Sequence, residues 1–523
     1  MLSKRINTKN QVIVIIGGGL AGLCTGAYLV RDGFTVIIFE QSAQTGGYFR
    51  SFVRNGFKFD AGLKAVENAG ILIPMLKQLG LEKSVNLEKS NTALVLPDQF
   101  IKLSESKDIV RFIHALGEHF TDQKKGLRLL LRQIERIGAW INLLETAPNP
   151  LFLSNKQILS ALFKWIISNF PALIYFRRTY GLLNVPMERF LKDYIDNPAL
   201  INLLSELFFE GTPALFGLGY SRVFLDYYYP QDGMQTLTET LTEYIKERGG
   251  TIKTNTRISR ILVSNNQATG VELEDGNQVG ADYVVSASDM KKTYLEMLTP
   301  GDLPPEYRNK LLKAHIGESA FCVFLGIDID PELLPVQGCS HLYYLPDYEG
   351  TNAKESTNLD YFKRTPLEIS IPCINNRGLA PPGKSGIIIS ALAKYEFAGN
   401  WGIKNGKTTA EYYYLKEQIA DQFVNNAARA IPGLKDHILF REVATPYTYY
   451  RYTLNSNGSI CGWTYDRQKT FNPVGIGRIQ KAVLTPVERL LQAGHWTVYP
   501  GGAPVSILSG RVAADYIMRN HGK

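Results

Sequence analysis

The sequence predicts an α/β protein built on a doubly wound, parallel-sheet Rossmann domain that is interrupted by a second domain of α+β type. Three observations predict it. A short β-branched run, Gln11 to Ile16, leads straight into Gly17-Gly18-Gly19-Leu20-Ala21-Gly22. An apolar-periodic stretch from Leu20 to Arg31, closed by Gly33, precedes a second β-branched run, Phe34 to Phe39, that ends in Glu40. Far downstream, apolar runs at Phe321 to Ile329 and Ser385 to Ala393 alternate like strands of an antiparallel sheet.

The first two observations make a strand, a glycine turn, a helix and a strand. A continuous apolar run suits a parallel strand buried on both faces. Gly17 permits the tight turn, Gly19 lets the backbone approach a pyrophosphate, and Gly22 allows the helix to pack closely on the strand. Glu40 stands at the end of the second strand, where a carboxylate accepts hydrogen bonds from the adenosine ribose hydroxyls and repels a 2′-phosphate. The unit is therefore a dinucleotide site that disfavours NADP.

Beyond Glu40 the sequence continues EQSAQTGGYFRSF, and its Gly46-Gly47 pair resembles the extended pattern of the glutathione-reductase-like FAD proteins. The next segment, Asn55 to Gly62 (NGFKFDAG), is similar to one in the phytoene desaturase, carotenoid isomerase and retinol saturase family. So are Tyr229 to Gln235 with the helix and strand that follow, Leu379 to Gly383, Gly458 to Trp463, and AGHWTVYPGGAPVSILSGRVAADYI near the C-terminus. In the Tyr229 region Leu237, Leu241, Tyr244 and Ile245 form a helical stripe, Gly249-Gly250 ends it, and Ile252 to Ile261 alternates as one strand.

The resemblance implies a glutathione-reductase-like FAD-binding Rossmann domain with a discontinuous α+β substrate domain. It places FAD on Gly17, Gly19, Leu20, Ala21, Gly22, Glu40, Gln41, Gly46, Gly47, Tyr48, Gly62, Ile258, Gly501, Gly502 and Val505. It further implies hydride transfer at flavin N5 to or from a hydrophobic polyene or isoprenoid, by desaturation, saturation or cis-trans isomerisation. Near the isoalloxazine it nominates Lys64, where retinol saturase relatives often have histidine, with His495, Trp496 and Tyr499. Two other readings share the fold: a flavin amine oxidase, and a lipid-binding module like the GDP-dissociation inhibitors.

The matched segments are dispersed, so the FAD domain is expected from residues 11–100, 228–318 and 485–523, and the substrate domain from 101–227 and 319–484. Residues 122–180 are helical, aromatic and basic, but Lys164 and Pro171 interrupt any membrane span. Lys124, Lys125, Arg128, Arg132, Arg136, Arg177 and Arg178 among Leu, Trp and Phe suit a segment lying on an anionic membrane surface. The N-terminal MLSKRINTKN lacks an apolar segment of its own, which predicts a cytoplasmic chain, peripheral on the membrane.

Composition narrows the classes. With 45% hydrophobic and 20% charged residues in 523, the chain is an ordinary globular one, and a net charge of +8 is too diluted for a nucleic-acid binder. Five cysteines without CxxC spacing suit a reducing compartment, and the seven histidines show no metal spacing. Gly378 to Ser385 satisfies a P-loop pattern, but Pro381 and Pro382 remove two backbone donors and a strand-like run follows. Asn457-Gly458-Ser459 reads as a turn. Gly475-Ile476-Gly477 lacks a third glycine, so no second nucleotide site is expected, and the electron donor or acceptor stays open among soluble carriers, quinones and oxygen.

Overall fold

The run Val12–Ile16 becomes the middle strand of a five-stranded parallel sheet in the order Thr251–Lys253, Thr35–Phe39, Val12–Ile16, Tyr283–Ser286, Leu490–Gln492. The computed structural model describes residues 11–146, 149–153, 160, 163, 166–167, 179–351, 358–471, 479–499 and 501–521. Helix Leu20–Arg31 is buried from Leu20 to Val30, because the sheet covers one side and helices Gln235–Glu247 and Ala503–Asn520 cover the others. An all-round apolar helix needs such all-round cover. Contact with the C-terminal helix is close: a Cβ on Gly510 would stand 2.6 Å from the Ala21 carbonyl oxygen.

The stripe Leu237, Leu241, Tyr244 and Ile245 is buried as expected. The single strand expected over Ile252 to Ile261 is instead two. Thr251–Lys253 extends the parallel sheet, the chain turns at Asn255 (φ 51°), and Ile258–Ser264 opens a separate antiparallel sheet with Gln267–Leu273 and Gln278–Gly280. Alternating side chains report a strand, and they carry no information on which sheet it joins.

A seven-stranded mixed sheet forms the second layer, in the order Ile438–Ala444, Ser319–Ile327, Ser385–Ala393, Leu367–Ser370, His341–Tyr344, Thr92–Val95, Phe100–Leu103. Ser319–Ile327 and Ser385–Ala393 pair antiparallel along their whole length. They are buried on both faces: helix Ala410–Ala430 seats Leu415, Ile419 and Phe423 on the outer face, and hairpin strand Phe57–Asp60 approaches from inside. The inner face carries one polar row. Cys322 pairs with Ser390, Ser390 with Glu368, and Glu368 with Tyr343, so four neighbouring strands present these side chains on one side.

Helices Ser106–His119, Lys124–Thr146 and Ala214–Val223 form a third layer around Leu116, Leu127, Leu130, Ile137 and Leu218. Among the described residues no helix is long and apolar enough to cross a membrane. The P-loop-like segment runs directly into strand Ser385–Ala393, Asn457 sits in a turn at φ 55°, and all five cysteines are free. Gly475 to Gly477, Lys164, Pro171, Arg177 and Arg178 lie outside the described residues.

Candidate active site

The glycine turn folds back on itself. Gly17, at φ 101°, donates its N–H to the Phe39 carbonyl at 2.8 Å, and a Cβ on Gly22 would overlap the Gly17 carbonyl oxygen. Gly19 opens helix Leu20–Arg31 with no capping side chain, so Leu20, Ala21 and Gly22 present unsatisfied first-turn N–H groups of the kind that bind phosphate. Glu40 closes the turn. Its Oε2 accepts the Gly18 N–H and its Oε1 the Ser42 N–H, each at 2.8 Å, which leaves further lone pairs on a buried carboxylate.

The distant segments converge on this turn. Gly46 donates its N–H to the Gly18 carbonyl at 2.8 Å and holds φ 121°, so the Gly46-Gly47 backbone lies against Gly18-Gly19. Thr256 N–H bonds the Glu40 carbonyl at 2.9 Å, which brings the buried Ile258 beside the acidic strand end. Gln41 reaches the Thr453 carbonyl at 3.4 Å. The Tyr48 hydroxyl donates to the Ser459 carbonyl at 2.7 Å, while Gly62 lies so close to the Tyr48 carbonyl that a Cβ would overlap it. Asp60 ties in the Tyr229 segment, accepting from Tyr229 Oη at 2.6 Å, Ser51 Oγ at 2.8 Å and Met234 N at 2.9 Å.

At the C-terminal motif a Cβ on Gly501 would overlap the Cys461 carbonyl, and Gly502 opens helix Ala503–Asn520, again without a capping side chain. Val505 lies in its first turn, partly exposed. His495 packs here with its ring 6.2 Å from Tyr48 and 5.3 Å from Trp496. Burial pushes its pKa down to about 4, so the imidazole is neutral at pH 7, and its buried Nε2 has no partner among the described residues. The Tyr499 hydroxyl is spent on the Tyr465 carbonyl, whose own phenol donates to the Gly501 carbonyl at 3.1 Å.

Lys64 reaches the second sheet. Its ammonium is buried 3.5 Å from Glu368 Oε2 on the second sheet, and Ser390 Oγ donates to that same oxygen at 2.8 Å. His341 Nε2 lies 3.0 Å from Glu368 Oε1. Burial alone would raise the Glu368 pKa, but the Lys64 ammonium, His341 and Ser390 outweigh it and hold the carboxyl well below the usual range. Burial likewise opposes the Lys64 charge, and Cys322 and Glu368 outweigh it, so Lys64 stays above its ordinary value. Cys322 in turn meets Tyr449 Oη at 3.0 Å. Glu368, His341, Ser390 and Cys322 were missed from the sequence, where the one signal is a lone charge inside the apolar run Leu367–Ser370.

Two uncapped helix N-termini, glycines held against backbone, an acid folded onto the turn and an orphaned buried His495 nitrogen fit a dinucleotide flavin. The fold and this cradle define an FAD-dependent oxidoreductase. Residues 20–518 match the family of flavin containing amine oxidoreductases, and the chain belongs to it. The chain is 24% identical to the carrot (Daucus carota) chloroplastic prolycopene isomerase, over 96% of this chain and 80% of that protein. It is 24% identical to a zebrafish (Danio rerio) all-trans-retinol 13,14-reductase, over 86% of this chain and 77% of the relative. In fold it is similar to an oxidoreductase from Methanosarcina mazei (TM-score 0.60, 17% identity, 97% of this chain and all of that one).

Proposed function

We propose that this FAD enzyme acts on carbon-carbon double bonds of a hydrophobic polyene or isoprenoid lipid. The observation that carries the reading is the similarity to a prolycopene isomerase along nearly the whole chain, on a turn that keeps Gly17, Gly19, Gly22 and Glu40. The fifteen cofactor positions named from the sequence hold FAD: first-turn N–H groups take the pyrophosphate, Glu40 the ribose hydroxyls, and the Gly501-Gly502 turn the flavin end. When bound, FAD supplies two-electron chemistry at N5, which a conjugated substrate accepts with little acid-base assistance. The chain contributes orientation and exclusion of water, with strand Thr92–Val95 belonging to the substrate-binding part and His495 neutral beside the site.

Anaerobic incubation of oxidised and of photoreduced enzyme with lycopene-type, retinol-type and fatty-acid-type lipids, followed by product analysis, tests the reading. A desaturated, saturated or isomerised polyene is expected. Bleaching by amines alone would transfer the chain to amine oxidation, and protein that stays colourless after reconstitution would make it a lipid-binding module. Glu40→Ala is expected to weaken FAD binding by about tenfold to a hundredfold, because a charge-assisted hydrogen bond contributes roughly 1.5–3 kcal/mol. Titration of apoprotein with FAD measures it.

We also propose contact with an anionic membrane. Lys125, Arg128, Arg132 and Arg136 are exposed along helix Lys124–Thr146, and Leu129, Phe163, Ile166 and Ile167 expose apolar surface in the same region. Reversing the four charges to Glu should lower co-flotation with anionic liposomes by roughly 1 kcal/mol per residue. Undiminished flotation would return the helix to a purely structural role.

A further inference from the structure

Resting on the membrane reading above, we infer that the groove between helices Ser106–His119 and Lys124–Thr146 seats the phosphate-bearing end of an anionic phospholipid. The helices are joined by the single turn Thr121–Gln123 and pack against each other. Residues four apart on a helix share a face. Ile113 with Gly117 on the first helix, and Leu127 with Leu131 on the second, are two such pairs, and they line the floor of the groove. Ile113, Gly117 and Leu127 are buried, and Leu131 is half-buried. Two further pairs form the rims, His114 with Glu118 and Lys124 with Arg128.

The groove has a volume of about 220 Å³. Sites that enclose a whole small molecule run to roughly 300–1,000 Å³, so this one suits one end of an amphiphile whose remainder lies outside. Gly117 keeps the floor open. Glycine inside a helix weakens it relative to any residue but proline. Local packing does not demand glycine here, because a Cβ would make only ordinary contacts, 3.6 Å from Lys124 Cγ and 3.8 Å from Leu127 Cδ1. What glycine contributes is the empty space beyond that Cβ.

Charge decides which amphiphile. Lys124, Arg128, Arg132 and Arg136 follow one another at intervals of four, so one rim of the groove continues along the helix as a cationic row. Like charges at that spacing repel and weaken the helix. Lys124 Nζ has Glu118 Oε1 at 2.9 Å, an exposed pair that contributes little and that a phosphate can displace. Among the described residues no carboxylate forms an ion pair with Arg128, Arg132 or Arg136. An external anion relieves the repulsion, and beside an apolar floor the anion that fits carries methylenes of its own. A phospholipid supplies both parts. The Arg128 guanidinium and the Lys124 ammonium take its phosphate oxygens, and its first chain carbons lie on Ile113, Leu127 and Leu131.

The experiment titrates the FAD-loaded full chain calorimetrically with three soluble probes: monomeric dihexanoylphosphatidylglycerol, its chain-free headgroup glycerophosphoglycerol, and monomeric dihexanoylphosphatidylcholine. The anionic lipid should bind one per chain, at least about tenfold tighter than the bare headgroup, which is the effect of burying two methylenes. It should bind at least about fivefold tighter than the choline lipid, whose ammonium offsets the attraction of one cation. Gly117→Leu fills the floor and leaves every charge in place. With Tm and flavin content intact, it should lose at least about tenfold in affinity for the anionic lipid. Lys124→Gln with Arg128→Gln should lose a similar factor with the floor open. Equal binding of the anionic lipid and either other probe by wild type overturns the inference, and that comparison needs no variant. Unchanged lipid affinity in folded Gly117→Leu also overturns it and reduces the row to a diffuse field. If no probe binds while wild type still floats with anionic liposomes, the groove falls and the membrane reading stands; if wild type does not float either, both fall.

Discussion

Gly22→Val protein is expected to purify without its yellow cofactor, at under about a tenth of wild-type FAD content, the equivalent of 1.4 kcal/mol or more in binding. A Cβ at this position would overlap the Gly17 carbonyl oxygen, which is backbone and has no rotamer to escape into. Relief requires the helix to move off the strand, and overpacking of that kind costs about 1–3 kcal/mol. The movement also pulls Leu20 and Ala21 away from Gly46-Gly47 and so opens the phosphate cradle. Gly19→Ala is the informative companion. A Cβ there meets only the Gly47 Cα at 4.0 Å, so the apoprotein should keep its Tm and lose FAD affinity alone. Flavin absorbance relative to protein, read beside a thermal melt of apoprotein, separates the two effects. Full FAD occupancy in Gly22→Val would show that this contact does not set the turn.

That turn was legible in the sequence because its physics is local. Each glycine is required by a neighbour within a few positions, and Glu40 lies one strand away, so spacing alone reports the geometry. The Gly46-Gly47 approach and the Gly501 contact are non-local, and they were legible only through resemblance. The Glu368 row was not legible at all. Cys322, Tyr343, Glu368 and Ser390 fall on four strands, and only register brings them onto one face. The same limit explains the single strand expected over Ile252 to Ile261. A period of two cannot show that Asn255 turns the chain from one sheet into another.

Lys64→Ala is expected to destabilise the fold by about 3–5 kcal/mol, because removing one partner of a buried ion pair strands the other. Only 7% of the Lys64 side chain is exposed, and Glu368 would keep Ser390 and His341 but lose the ammonium beside it. The pH dependence identifies the mechanism. In wild type the Glu368 pKa lies below its ordinary 4.5, so the unfolded state binds more protons in that range. The stabilisation is full above 4.5 and is lost as pH falls towards the folded value. In Lys64→Ala the largest effect opposing burial is gone, the folded Glu368 pKa rises from its wild-type position, and the folded variant binds more protons than folded wild type in the acid range. Its deficit should therefore be largest at neutral pH and should shrink as the medium is acidified below the ordinary carboxylate value. Lys64→Met with Glu368→Leu removes both charges and should recover most of the loss, since a buried pair replaced by apolar groups is often neutral or stabilising. Denaturant midpoints across pH for the two single variants and the double variant close the cycle. Turnover of flavin-loaded double variant then decides the chemical question: unchanged turnover makes Lys64 an inter-sheet tie, and a loss that persists after stability is restored keeps it at the reacting site.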